Sequence, residues 1–254
     1  MQFQFPKLTP AVRALLIVLG VMFVGTAVVQ NVFQLPAFDW LALNVRYMVP
    51  DAGAVMSPGA PTPGLFGLIW QPLTYWMVWP PIPQSFLNAA LSLFFLYLFN
   101  SPFEEKYGAA RMLQMSAAGI LSAAIGSVAV AAILPGGIPV YGAGVIVSAT
   151  IGGFPVLFKE RNLFLIPFPF AIRPWTFVLV AVGIAAVNAV LAQDLYIFLS
   201  DVFAMLGGYA FATWMDRSDA KKAQKPKKRR NGPALRVLEG GGQGSDDEPP
   251  RYLN

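Results

Sequence analysis

Apolar runs long enough to cross a lipid bilayer recur along this chain, and they limit its fold more than any other feature. A spanning helix needs about 20 consecutive apolar residues. The stretch AVRALLIVLGVMFVGTAVVQNVF (11–33), behind Pro10, meets that length. It is too long for the apolar core of a signal peptide and has no convincing cleavage site, so it reads as a retained helix. QSFLNAALSLFFLYLFN (84–100) gives a second span. The third covers about 109–133 and stops at the turn signal LPGG; the others fall at about 142–158, 173–192 and 196–215. Charged residues make up 12% of the chain, against about 25% in soluble domains. The chain therefore lacks the material for a water-facing surface. The expected class is an all-α membrane protein, a bundle of six transmembrane helices.

Between the first two spans lies a long segment, 34–83, with PGAPTPG at 58–64 and many Trp, Leu and Phe residues. Disordered linkers are more polar than this. The expectation is an interfacial loop that dips into the membrane or lies on it; a soluble Pro-rich loop is the alternative.

Charge sets the orientation. With six spans both termini share one side, and of the 18 Lys and Arg residues only Arg46 falls on the other. Positive residues mark the cytoplasmic side, so both termini are expected in the cytoplasm of a bacterial-type inner membrane. Residues 1–10 form a cytoplasmic N-terminal segment, 11–215 the membrane domain, and 216–254 a disordered tail. The tail's KKAQKPKKRR block gives two readings. It attracts anionic lipid at about 1 kcal/mol per basic residue near the surface, or it only enforces topology. Because the net charge of +5 comes largely from this tail, it does not describe a nucleic-acid-binding face.

The chain has no cysteine and no histidine. Disulfides and thiolate metal sites are excluded, as are Ser-His, Cys-His and HExxH chemistry, since His supplies the base or ligand in each. No cofactor is expected. Ionisable residues inside membrane helices are functional candidates by default, and here they are scarce. Asp201 lies near the outer end of the sixth span with no second buried carboxylate to pair with, and reads as an interfacial or helix-start residue. Small residues are the other signal. Gly142, Gly144, Ser148, Gly152 and Gly153, and then Gly207, Gly208 and Ala212, recur at roughly helical spacing. Close helix approach requires such side chains, so spans four and six are expected to touch backbone to backbone.

Several local patterns occur in a recognisable order: TPAVR before the first span, WQPLTYWMVW (70–79), LYLFNSPFEEKYG (96–108), YGAG (141–144), KERNLFLIPFPFAIRPWTFVL (159–179) and AMLGGYAFA (204–212). Over about 7–215 the chain thus resembles the rhomboid family of intramembrane serine proteases. The resemblance implies that Trp70 and Gln71 stand where the family has Trp-Arg. It sets Tyr141, Gly142, Ala143 and Gly144 against the family's Gly-x-Ser-Gly, with Ala143 at the nucleophile. Met205 stands at the catalytic His, and Asn88 and Ser92 at the oxyanion-stabilising His-x-x-x-Asn. A methyl group cannot attack a carbonyl and a thioether cannot take a proton. Ser148, five residues further on, reads as having no base to activate it. What the resemblance implies is therefore a pseudoprotease that binds client transmembrane helices through a lateral opening between spans two and five. Trp70, Gln71, Asn88, Ser92, Gly142, Gly144 and Gly208 would shape the binding region. The alternatives are an intramembrane peptidase with a relocated site, a transporter or channel subunit, and a passive scaffold. Against transport stand the scarcity of buried charge and the absence of a visible inverted repeat.

Overall fold

In the computed structural model, residues 6–45, 64–134, 139–159, 163–164, 171–192 and 195–224 are described. The described elements are α1 (Pro10–Asn31), α2 (Ala37–Leu41), α3 (Gly64–Thr74), α4 (Pro83–Tyr107), α5 (Ala109–Ala131), α6 (Gly144–Leu157), α7 (Pro174–Ala192) and α8 (Leu195–Gln224). A minimal hairpin pairs β1 (Leu163–Phe164) with β2 (Ala171–Ile172). Helix dominates because a backbone in lipid must satisfy its own hydrogen bonds.

Each expected span coincides with a helix. Four of them, α1, α4, α5 and α8, are long and apolar enough to cross a bilayer, whereas α6 and α7 are shorter apolar helices. The count of six spans is therefore not reached on length alone. The large apolar residues left exposed on α1, α4 and α7, among them Val21, Phe86, Leu87 and Leu179, are what a helix facing lipid presents.

α6 is the hub. Every residue from Val145 to Leu157 is buried, and α8, α5, α4 and α7 all pack around it. Its glycines explain how. A Cβ on Gly208 of α8 would strike the carbonyl of Ala149, and one on Gly152 of α6 would strike the carbonyl of Met205. These are the backbone contacts between spans four and six that the small-residue stripes predict. α5 closes on the same pair: Gly119 lies on Ala149, and Gly207 on Ser122.

The C-terminal end of α6 is fastened by polar contacts. The Glu104 carboxylate accepts from the Thr9 hydroxyl at 2.5 Å and from the amides of Ala11 and Val12 at 2.9 Å each. α4 thereby supplies the N-terminal cap that α1 lacks in its own sequence. Arg111 grips Asp219 with both guanidinium nitrogens, at 2.6 and 2.7 Å, and Lys159 meets Asp216 at 2.8 Å. Lys106 donates to the Leu157 carbonyl at 2.8 Å and lies over the rings of Tyr107 and Phe158.

These pairs correct one boundary. α8 continues through 216–224, where the sequence reading begins a disordered tail. DRSDAKKAQ is polar but rich in good helix formers, and its two aspartates bond to α5 and to the residue just past α6. The basic block beyond Gln224 lies outside the described residues. The segment between α1 and α4 does contain structure, in α2, α3 and a short 3-10 turn at Tyr75–Met77; residues 46–63, with Arg46 and all but the last glycine of the PGAPTPG run, lie outside the description.

Candidate active site

The site implied by YGAG forms where the chain enters α6. Gly142 has φ +90°, in the left-handed region that suits glycine. Its amide donates to the Tyr75 carbonyl at 3.0 Å, and a Cβ there would lie 2.9 Å from the indole Nε1 of Trp79. Val140 pairs with Leu43 in an isolated bridge, and the Tyr141 ring meets Phe38 edge-on at 5.4 Å. The loop between α1 and α4 is thus pressed onto 140–142 by Phe38, Leu43, Tyr75 and Trp79. None of the four was among the expected site residues. Two local signals were available: the bulk of Tyr75 and Trp79 in an apolar turn, and the lack of a side chain at Gly142 to receive them.

Ala143 is fully buried, while a side chain at Gly144 would meet nothing within 4 Å. The open position at the head of α6 is therefore Gly144, and Ala143 is part of the packed wall. Met205 is also buried, its carbonyl against Gly152. The Trp79 Nε1 is enclosed and has no hydrogen-bond partner among the described residues.

The other expected residues lie elsewhere. Asn88 is exposed on α4 and accepts from the Ser92 hydroxyl at 3.3 Å, so these two satisfy each other along one helix face. Trp70 is partly exposed and donates through Nε1 to the Trp40 carbonyl at 2.8 Å. Gln71 is buried, and its Oε1 accepts from the Asn44 amide at 3.1 Å while its Nε2 reaches the carbonyls of Asp39 and Trp40 at 3.4 and 3.5 Å. Both side chains staple α2 to α3. Trp40, Leu41, Trp70 and Thr74 also line a shallow apolar depression.

One reading is corrected. Ser148 is not without an adjacent base, because its hydroxyl donates to the Asp201 carboxylate at 2.8 Å. The pair bridges α6 and α8, with Asp201 one turn before Met205. Ser148 is almost enclosed, while Asp201 is only half-buried. Sequence missed the pair because the partners are 53 residues apart, and only the register between the two helices brings them together.

The arrangement therefore has a tight turn, an uncapped start to α6, an enclosed indole N–H and one serine–carboxylate pair. Lacking any imidazole, it has no Ser-His dyad. No curated protein matches the chain. The family model of the Rhomboid domain matches residues 69–218, which takes in α4 to α8 and the whole of the turn into α6, and the chain belongs to the rhomboid family.

Proposed function

We propose that this chain is a rhomboid pseudoprotease, an integral membrane protein that binds transmembrane segments of client membrane proteins without cutting them. The observation that carries this reading is the absence of any histidine in a chain that keeps the glycine contacts of α6 and α8. The nucleophile and base of a dyad act as a unit, and neither is present at the head of α6. What is retained is helix packing, which supports binding.

On this reading six helices cross the bilayer. α6, with 14 residues, extends about 21 Å at 1.5 Å per residue, short of the roughly 30 Å apolar thickness. Its flanks touch protein on all sides, so it need not match the lipid. Both termini are assigned to the cytoplasm of a bacterial-type inner membrane by the distribution of Lys and Arg, and the basic tail would lie against anionic lipid there.

The test is photo-crosslinking in native membranes from a reactive residue introduced at Gly144, followed by identification of the captured proteins. Capture of membrane proteins in their transmembrane segments supports the reading. Background-level capture sinks it.

A second reading has one observation in its favour. In the Ser148–Asp201 pair a carboxylate is placed to take the hydroxyl proton, as a relocated peptidase would require. Cleavage of a transmembrane substrate that disappears with Ser148→Ala would establish that reading in place of the first.

A further inference from the structure

The charged side chains of the described helices differ in how far the chain itself satisfies them. Glu104 takes three donors, Arg111 and Asp219 form a two-point pair, Lys159 meets Asp216, and Lys106 holds a carbonyl and two rings. Asp201, inside the apolar part of α8, is satisfied only in part. Ser148 donates to its Oδ1, and no described residue donates to Oδ2. The nearby Tyr75 hydroxyl is committed to the Ile120 carbonyl at 2.7 Å.

Asp201 lies six residues into α8, about 9 Å from the start of the helix at 1.5 Å per residue, inside a segment apolar enough to span. A carboxylate at that depth calls for a counter-charge or a second donor. The described part of the chain offers neither, and Asp201 keeps some exposure where Ser148 is enclosed. Among the described residues the complement is missing, and a donor that can itself sit in the membrane would supply it.

We infer that the second carboxylate oxygen of Asp201, whose first is held by Ser148, is a docking point for a Lys or Arg side chain carried within the transmembrane helix of a client. This rests on the client-binding reading and narrows it to a client class. A basic residue in a membrane helix is costly on its own, so pairing it with Asp201 removes two liabilities at once. Ser148 acts as a positioning residue, holding Oδ1 and leaving Oδ2 without a described donor.

The test uses the purified full chain in liposomes with fluorescent single-span Leu-Ala peptides, binding being read by energy transfer. One peptide carries Lys about six residues from its end, one carries Leu there and one carries Glu. The Lys peptide is expected to bind about tenfold more tightly than the Leu peptide, the size of one interhelical polar contact in a bilayer, and the Glu peptide more weakly than either. Asp201→Asn should abolish the preference for the Lys peptide over the Leu peptide. Asp201→Glu should restore part of it, which a purely structural role would not do. Equal binding of the three peptides, or a Lys preference that survives in Asp201→Asn, overturns the inference while leaving client binding intact. If no peptide binds the native protein, the client-binding reading fails and the inference with it.

Discussion

The two ends of α6 are built to different standards. Near its C-terminal end six charged side chains, Glu104, Lys106, Arg111, Lys159, Asp216 and Asp219, are bonded within the chain. Glu104 caps α1, Lys106 holds the last carbonyl of α6, and the Arg111–Asp219 and Lys159–Asp216 pairs tie α8 alongside. At its N-terminal end Gly144 opens onto free space, and among the described residues Trp79 Nε1 has no partner and Asp201 has one donor for two oxygens. Buried polar groups are normally satisfied. The first end is fastened by its charged side chains, and the second leaves open space and an incompletely bonded carboxylate where a ligand has room.

Substitutions can break this contrast. The largest effect is expected from Gly208→Val, whose side chain would collide with the backbone of Ala149. Backbone cannot give way as a side chain can, so the loss should reach the upper end of overpacking costs, about 3 kcal/mol or more. The check is a thermal melt in detergent. Gly144→Ala, at the open position, should stay within about 1 kcal/mol of the native protein, since the space is free and alanine is the better helix former.

Glu104→Ala comes next. It strands three donors, two of them backbone amides, and should cost about 2–3 kcal/mol. Proteolysis near residue 10 should accelerate as α1 detaches. Asp201→Asn, by contrast, keeps the shape and loses the charge. Its melting point should match the native protein within about 1 kcal/mol, the scale of one polar contact in the membrane. A large loss of stability would mean that Asp201 belongs with the structural end after all.

The smallest effects belong to the exposed pairs. Lys159→Ala removes a contact whose partners are both about half exposed and should cost under about 0.5 kcal/mol. Arg111→Ala loses a two-point pair that is less exposed and should approach 1 kcal/mol. Both differences should shrink in high salt.

Much of the fold was legible because each helix carries its own signal. Apolar runs located α1 and α4 to α8, and the stripes around Gly152 and Gly208 announced the contact of α6 with α8. The end of α8 was misplaced because hydropathy reports where lipid ends, whereas the helix continues as long as propensity and the Asp216 and Asp219 pairs sustain it. The site was harder to read. YGAG and AMLGG marked the turn and the crossing, but not which way their side chains face: Ala143 is buried, and the open position is Gly144. Asn88, Ser92, Trp70 and Gln71 have the right chemistry for a polar cavity, yet their bonds go to each other or to the loop. Contacts such as Ser148–Asp201 depend on the register of two helices distant in sequence, which no local pattern encodes.

The central claim is that catalysis is absent. Its most direct test is labelling with a fluorophosphonate probe, together with cleavage of a model transmembrane substrate, by the purified protein in lipid. Two variants run beside it, Ala143→Ser with Met205→His and Gly144→Ser with Met205→His. The account predicts that the native protein neither labels nor cleaves, and that the Gly144→Ser pair, whose hydroxyl enters open space, labels more readily than the Ala143→Ser pair. Labelling or cleavage by the native protein, lost on Ser148→Ala, would contradict it.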